Sequence, residues 1–265
     1  MIPLGYITEW RQVAPWNMQA MVEQDLLINR MLTDLFSDEQ ICGALAFRGG
    51  TALHKLIFPQ PLRYSEDIDL VQIVEGPIGP IFDRIREILS SWLGDRPQRK
   101  QGPGVVNLVY RVESEETPPR PLKIKIEINS REHFHVHPLQ SRRLETSSRW
   151  FAGSVDIPTY EAEELLGTKL RALYQRRKGR DLLDIAAALR MVIGIDPNRI
   201  IECFDHYMAR EDNKISRSEF ERNLDAKLNH PGFREDCIPL VRPEFKVDLL
   251  ADADLVKEKI IYRLS

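Results

Sequence analysis

The segment FRGGTALHKLIFPQPLRYSEDIDLVQI, residues 47–73, contains a glycine turn and a pair of alternating acids within a short length of chain. Its two adjacent glycines follow an apolar run and let the backbone approach a ligand closely, and the threonine after them can cap a helix. Asp67 and Asp69 lie two residues apart in a second apolar run, so on a strand both carboxylates point to the same face. The segment therefore predicts a strand, a small-residue turn, a helix and an acid-bearing strand in succession.

The alternating acids are the candidate metal ligands. Carboxylates held this close repel each other, and a cation between them relieves the repulsion. Oxygen ligands of this kind suit Mg²⁺ or Mn²⁺. In LKIKIEINS, residues 122–130, Glu127 shares one strand face with Lys125 and can join Asp67 and Asp69 as a third ligand from a neighbouring strand. The alternative for both segments is an ordinary solvated strand face.

Phosphate-binding candidates surround the glycine turn. Backbone amides at the start of a helix, together with a hydroxyl, form an anion site that suits a triphosphate. The Walker pattern GxxxxGK[ST] is absent, and a plain tight turn is the alternative interpretation. The candidate nucleotide-binding residues are Gly49, Gly50, Thr51, Lys55, Arg63, Ser65, Lys169 and Arg176.

A basic run lies later in the chain. From Lys169 to Arg180 there are six basic residues and no acidic one, which favours phosphate binding even though the whole chain has a net charge of −3. Lys169 and Arg176 share a helical face, and Arg180 stands at i,i+4 spacing from Asp184. The alternative is a salt-bridged surface helix, which is the commoner fate of such charges.

Composition excludes several classes of protein. The chain has 265 residues, of which 43% are hydrophobic and 29% charged, as in ordinary globular proteins of one large or two modest domains. Charged residues interrupt its apolar stretches, so no membrane span is expected. Cys42, Cys203 and Cys237 form no CxxC pair, which fits a reducing cytoplasm. A cytoplasmic protein is the expectation.

Periodicity predicts the order of the secondary structure. Strands are predicted at 44–48, 66–73, 105–112 and 122–128. Helices are predicted at 17–36, 51–57, 79–93, 160–177, 181–192, 197–209, 217–228 and 253–263. Capping boxes are predicted from Ser37 to Gln40 and from Ser216 to Glu219. Because strands come early and helices late, the class is α+β.

The combination of motifs is more specific than its parts. Strand, GGT, helix, R-x-S-x-DID and a distant acid-bearing strand resemble the polymerase β-like nucleotidyltransferases, and more narrowly the AbiEii/AbiGii family of nucleotidyltransferase toxins. The stretches that carry the resemblance are WNMQAMVEQDLLINRML (16–32), FRGGTALHKL (47–56), RYSEDIDLV (63–71), KIEINS (125–130) and TKLRALYQRRKGRDLLDI (168–185).

The resemblance implies a fold and a site. It implies a nucleotidyltransferase domain in residues 1–150, with a mixed sheet flanked by helices. It also implies a helical C-terminal domain, residues 151–265, that contributes to the active site. The metal ligands would be Asp67, Asp69 and Glu127. The catalytic residues would be Asp67, Asp69, Glu127, Lys169 and Asp184.

The resemblance also implies a biological role. A bacterial toxin of a toxin–antitoxin or phage-defence pair would take an NTP as donor, use the 3′ end of tRNA as acceptor, and have a cognate antitoxin encoded alongside. Basic residues that could accept RNA are the run 169–180 with Arg142, Arg143 and Arg149. Two alternatives are a nucleotidyltransferase acting on a small molecule such as an antibiotic, and a non-catalytic module that binds a nucleotide or a partner.

Overall fold

The computed structural model describes residues 2–94, 97–102 and 104–265. Contacts divide the chain into two compact units. The first comprises Met1–Leu56, Tyr64–His135 and Leu139–Tyr160, and the second comprises Ile57–Arg63, Val136–Pro138 and Glu161–Ser265. Within the described ranges, no helix is long and apolar enough to cross a membrane.

A mixed sheet forms the centre of the first unit. Its strands are β1 (Leu45–Arg48), β2 (Asp67–Gln72), β3 (Gln98–Gly102), β4 (Val105–Glu113), β5 (Pro121–Asn129), β6 (Gln140–Ser147) and β7 (Ala152–Thr159). The order across the sheet is β3-β4-β5-β2-β1-β7-β6. The pairs β2–β5 and β1–β7 are parallel, and the other neighbours are antiparallel. The two strands predicted to carry the acids, β2 and β5, are therefore direct neighbours.

The described residues of the first unit form the helices α1 (Leu4–Trp10), α2 (Gln19–Phe36), α3 (Glu39–Ala44), α4 (Gly49–Ala52, continued by a π-helical turn at Leu53–Ile57) and α5 (Gly79–Leu93). Helix α2 packs against β5, β6, β7 and α5. One sheet face is apolar because β5 alternates, with Ile124, Ile126 and Ile128 buried in the core. The polar residues of β5 consequently share the opposite face, where the candidate acids lie.

The second unit is helical. It contains α6 (Ala162–Gln175), α7 (Gly179–Met191), α8 (Pro197–Ala209), α9 (Arg217–Leu228), α10 (Pro231–Glu235) and α11 (Leu249–Lys259), with a 3₁₀ turn at Ile261–Arg263. Helices α6 and α8 pack closely at Gly167, where a Cβ atom would lie 2.6 Å from the Cys203 Cβ and 3.0 Å from the Ile200 carbonyl oxygen. Only glycine fits this crossing without a shift of its neighbours.

The predicted α+β class and the mixed sheet are confirmed. Each predicted strand and helix has a counterpart, whereas β3, β6 and β7 had no prediction. The capping box at Ser216 and Glu219 is present. The one from Ser37 to Gln40 is wrong, because Asp38 is the N-cap and accepts a hydrogen bond from the Ile41 amide.

Candidate active site

Three acids and one lysine meet on the polar face of β2 and β5. The parallel register places Asp69 beside Glu127 and Asp67 beside Lys125. The Lys125 ammonium bridges the strands, with its Nζ 3.1 Å from Asp67 Oδ2 and 3.2 Å from Glu127 Oε2. We call Asp67, Asp69, Glu127 and Lys125 the acid cluster. The three sequence candidates for metal binding are thus brought onto one patch of the sheet.

The acid cluster has more negative than positive charge. The pKa of Asp69 is raised by burial and by the negative charges of Asp67 and Glu127. Burial alone would lower the pKa of Lys125, but the two acids it contacts outweigh that effect and the pKa is raised. Three carboxylates against one ammonium leave an excess charge that a hard divalent cation can neutralise.

The acidic side chains of the acid cluster are of a chemical type that binds such a cation. All three are carboxylates, which suit Mg²⁺ or Mn²⁺. In the described part of the chain no three acidic, histidine or cysteine side chains lie close enough together to form a ligand set, so the three carboxylates share a sheet face without meeting at one point. In the acid cluster, the Lys125 ammonium lies between two of the three carboxylates.

The glycine turn approaches the acid cluster directly. Gly49 has φ of +79°, and a Cβ atom there would lie 2.1 Å from Asp69 Oδ2. Glycine is therefore required both for the backbone conformation and for the space that the carboxylate occupies. Gly50 follows it within the first turn of α4. The turn and the acid-bearing strand are fitted to each other.

Two hydroxyls fasten this turn to β2. The Thr51 hydroxyl donates to the Asp67 carbonyl oxygen at 2.5 Å and lies 2.7 Å from the Ser65 hydroxyl. Thr51 is buried, with 1% of its surface exposed. Beside them, Arg48 pairs with Glu132 at 2.6 Å and lies next to Asp69 in the sheet register. Thr51 thus positions the turn in this structure.

Lys55 belongs to a separate buried contact. Its Nζ lies 3.1 Å from Asp25 Oδ2, and both side chains are nearly buried. Asp25 also accepts hydrogen bonds from the indole N–H groups of Trp10 and Trp16, at 3.0 and 3.4 Å. Asp25 was not among the sequence candidates, although an acid within the apolar pattern of α2 could have indicated a buried partner. In this structure the Lys55 ammonium is paired with Asp25.

In the second unit, the remaining candidates form a buried ion network. Arg63 makes two hydrogen bonds to Asp184, of 2.8 and 2.6 Å. Lys169 Nζ lies 3.0 Å from Asp184 Oδ2 and 3.3 Å from Asp181 Oδ1. Arg176 binds Asp181 through two hydrogen bonds of 2.7 and 2.8 Å. We call these five residues the ion network.

The charges of the ion network are paired with one another. Asp181 and Asp184 are fully buried, and Arg63 and Lys169 nearly so. Burial would raise the pKa of Asp181, but Lys169 and Arg176 outweigh it and the pKa is lowered. Three cations face two carboxylates, so the five residues carry one excess positive charge. Asp181 was not among the sequence candidates, although it lies in the quoted RDLLD segment.

Most other charges of the basic run are also paired. Arg171 lies 3.2 Å from Glu211, and Lys178 lies 3.2 Å from Asp236. Arg180 pairs with the same aspartate, at 3.7 Å, rather than with Asp184 four residues on. The salt-bridged interpretation therefore describes this run, because acids distant in sequence neutralise it.

The three arginines proposed for RNA differ in their surroundings. Arg143 lies 3.1 Å from Asp156. Arg149 is paired with Glu9, to which its Nε donates at 2.9 Å. Arg142 lies on the edge strand β6 and is exposed. Two of the three charges are thus matched by a carboxylate.

A different set of basic residues lies on the face of the acid cluster. Lys123 precedes Lys125 by two positions on β5, and Arg111 of β4 stands directly opposite Lys123. Lys100 of β3 stands opposite Asn107, which stands opposite Glu127. Lys100, Arg111 and Lys123 are exposed, and no carboxylate in the described ranges forms an ion pair with them. None of the three was a sequence candidate, because no strand was predicted at β3 to place Lys100 and only the register of β4 against β5 places Arg111 opposite Lys123.

Two solved structures share this fold. MenT4, a nucleotidyltransferase toxin from Mycobacterium tuberculosis H37Rv, superimposes with a TM-score of 0.63 at 17% identity, covering 100% of this chain and 91% of that chain. A putative nucleotidyltransferase from H. pylori gives a TM-score of 0.52 at 14% identity, covering 92% and 93%. The architecture is that of the nucleotidyltransferases.

Sequence comparison then identifies the family. The family model described as nucleotidyl transferase AbiEii toxin, type IV toxin–antitoxin system, matches residues 30–253. The chain belongs to this AbiEii family of nucleotidyltransferase toxins, so the resemblance and the predicted enzyme class are confirmed. No curated protein matches the chain.

Proposed function

We propose that this toxin uses a divalent cation to transfer the nucleoside monophosphate of an NTP to the 3′ end of tRNA, in the cytoplasm. The observation that carries the proposal is the placement of Asp67, Asp69 and Glu127 on one sheet face, with Asp69 against the Gly49 turn. Carboxylates on one sheet face next to a close-approach backbone suit metal-assisted transfer at a triphosphate. The family supports an antitoxin partner, which we expect to be encoded alongside.

Mg²⁺ or Mn²⁺ would be held by Asp67, Asp69 and Glu127, and would neutralise the charge that develops on the triphosphate and the departing pyrophosphate. In our proposal the amides of Gly49 and Gly50 hold phosphate oxygens. Glu127 accepts the proton of the acceptor hydroxyl while that oxygen bonds to the α-phosphorus. The bond from the α-phosphorus to the bridging oxygen breaks, and pyrophosphate leaves with the electron pair.

The ion network is proposed to assist with phosphates. Its one excess positive charge allows Lys169 or Arg176 to contact a phosphate without leaving a carboxylate unpaired. Asp184 would act as an essential positioning acid, because it orients both Lys169 and Arg63. Lys55, Thr51, Ser65 and Arg63 would then act by holding the surrounding structure, since each is engaged by a neighbour.

The acceptor is proposed to lie over β5, β4 and β3. Lys100 is two strands from Glu127, about 10 Å across the sheet, and Lys123 is four residues from Glu127, about 13 Å along the strand. Unpaired exposed cations at these distances suit the phosphates of a strand whose terminal hydroxyl reaches Glu127. The 169–180 run supports this role less, because acids neutralise most of it.

Transfer is tested by incubating the protein with total bacterial tRNA, Mg²⁺ and each α-labelled NTP in turn, with Asp69→Asn as control. Label on tRNA with one NTP, absent in the variant, supports the proposal. Label on a small molecule or on the protein itself keeps the chemistry and replaces the acceptor. Nucleotide binding without any transfer favours a non-catalytic module.

The acceptor path is tested by the triple variant Lys100→Gln, Arg111→Gln, Lys123→Gln. Its matched control is Lys214→Gln, Arg234→Gln, Lys246→Gln, which removes three exposed charges elsewhere. For a labelled single-stranded RNA, the slope of log affinity against log salt should shrink by about 2 in the first triple, since each lost phosphate contact contributes about 0.7. Equal slopes in both triples would remove these residues from the path.

A further inference from the structure

Lys125 occupies a position that the chemistry of the acid cluster makes unusual. Its ammonium contacts Asp67 and Glu127, which come from two different strands, and 27% of its side chain is exposed. These carboxylates are two of the three expected to hold a divalent cation. The lysine therefore binds the same oxygens that the cation needs.

The pairing is specific to this position on the strand. Lys123 lies on the same strand and the same face but is exposed, and no described carboxylate pairs with it. Lys125 differs because the parallel register places it beside Asp67, with Glu127 two residues further on. The lysine is thus held by the geometry of two strands.

We propose that Lys125 is a resident counter-ion of the acid cluster, which holds Asp67 and Glu127 in place until a divalent cation displaces it. This inference rests on the metal-dependent function proposed above. An ammonium and a dication on the same carboxylate oxygens would be only a few ångströms apart, and their repulsion makes the two states exclusive. Once displaced, the ammonium has three donors and a flexible stem that reach for the phosphate oxygens of the NTP.

This exchange has two consequences. Without nucleotide, cation binding is weakened, because the cation must first displace Lys125 from two carboxylates. With nucleotide, the phosphates accept the released ammonium, so the cation and the NTP strengthen each other's binding. Lys125 is therefore a positioning residue whose removal changes cation affinity even where no reaction takes place.

The test is a titration with Mn²⁺ alone, in which electron paramagnetic resonance measures the free ion. Lys125→Met should bind Mn²⁺ about fivefold more tightly than wild type, since two partly exposed ion pairs no longer compete. Lys123→Met is the matched control and should stay within about twofold of wild type, because its charge is largely screened. Asp67→Asn should bind Mn²⁺ more weakly than wild type, Lys125→Met or Lys123→Met.

A second measurement follows thermal unfolding with and without Mn²⁺. Lys125→Met should unfold at a lower temperature than wild type in the absence of the ion. Its unfolding temperature should rise more than that of wild type when Mn²⁺ is added. If Lys125→Met does not fold, Lys125→Gln takes its place, since it keeps a hydrogen-bond donor without the charge.

A folded Lys125→Met or Lys125→Gln that binds Mn²⁺ no more tightly than wild type overturns the inference and leaves the proposed transfer reaction intact. Failure of wild type and of the Lys125 variants to bind Mn²⁺, with or without NTP, overturns both the inference and the metal dependence. The inference is supported if only the Lys125 variants bind Mn²⁺ more tightly than wild type. In these variants Mn²⁺ and NTP should also strengthen each other's binding less than in wild type.

Discussion

The acid cluster and the ion network are built from the same residue types and have opposite charge balance. The acid cluster has three carboxylates for one lysine, and the two carboxylates that Lys125 contacts are each about a third exposed. The ion network has two buried carboxylates for three cations. The excess negative charge beside the glycine turn favours binding of a cation, whereas removal of one partner from the buried ion network would leave an uncompensated charge and cost stability.

This difference between the acid cluster and the ion network explains why the number of charges in a stretch of sequence does not show which charges are paired in the fold. The stretch from Lys169 to Arg180 has six basic residues and no acid, yet acids outside this stretch pair with five of them. Strand β2 carries two acids that a single lysine from β5 balances only in part. Substitutions in the acid cluster should therefore affect mainly activity, whereas substitutions in the ion network should affect folding as well as the proposed phosphate contacts.

Asp69→Asn should have the largest effect on activity. Nucleotidyl transfer should fall on the order of 1000-fold, because one carboxylate of the proposed cation site is lost. The free energy of unfolding should hold or rise, because the repulsion of Asp69 by its two acidic neighbours disappears. Labelled-NTP transfer and urea unfolding measure the two effects, and a large loss of stability would contradict the comparison.

Arg63→Met should have the largest effect on stability. It leaves Asp184 buried with half of its cationic partners gone, and unfolding in urea should become easier by about 3–5 kcal/mol. Arg143→Met breaks an exposed ion pair and serves as the control, with an expected change under about 1 kcal/mol. Equal losses in both variants would show that the ion network is not a special source of stability.

Gly49→Ala tests how closely the turn fits the acid cluster. The new methyl group would meet Asp69 at a distance that no real contact has, and the positive φ adds strain. Stability should fall by about 1–3 kcal/mol, and transfer should fall further because Asp69 must move. Gly43→Ala meets nothing within 4 Å in α3 and should instead stabilise slightly. Unchanged transfer by Gly49→Ala would contradict the fit.

Glu23→Gln should have the smallest effect, and it depends on pH. Burial raises the pKa of Glu23 to about 7 from 4.5, so the folded state binds its proton more tightly than the unfolded state. The stability that this proton contributes is complete below pH 4.5 and is lost as the pH rises to about 7.

The Glu23→Gln variant should therefore be more stable than wild type by roughly 1 kcal/mol at pH 8, with a smaller gain at pH 5. Its side-chain oxygen can still accept the hydrogen bond from the Glu115 amide. Urea unfolding at both pH values measures the effect. A gain that is equal at pH 5 and pH 8 would mean that ionisation of Glu23 is not its cause.

Much of the fold could be predicted from local pattern. Alternation in residues 122–128 and the apolar run around DID predicted β5 and β2, since side chains on a strand alternate between faces. Strands β3 and β6 escaped prediction because both lie at the edges of the sheet. Edge strands are half exposed, so sequences such as QRKQG need no apolar alternation.

The candidate site, like the fold, could be predicted from the sequence only in part. Asp67, Asp69 and Glu127 were predictable because each acid interrupts an apolar strand with the correct period. The partners of Lys55, Arg63 and Lys125 were not, because side-chain pairing depends on segments that meet only in the folded chain. Arg63 and Asp184, for example, are 121 residues apart.

The sequence by itself determined the α+β class, the acids of β2 and β5, the glycine turn and the nucleotidyltransferase family, because these are encoded in short-range periods and motifs. Only the tertiary structure decided which charges are matched. The register of β2 against β5 placed Lys125 between two carboxylates, and the packing of α6 and α7 buried Lys169 with Asp181 and Asp184. The physical reason is that an ion pair depends on distance in space, which strand register and helix packing determine.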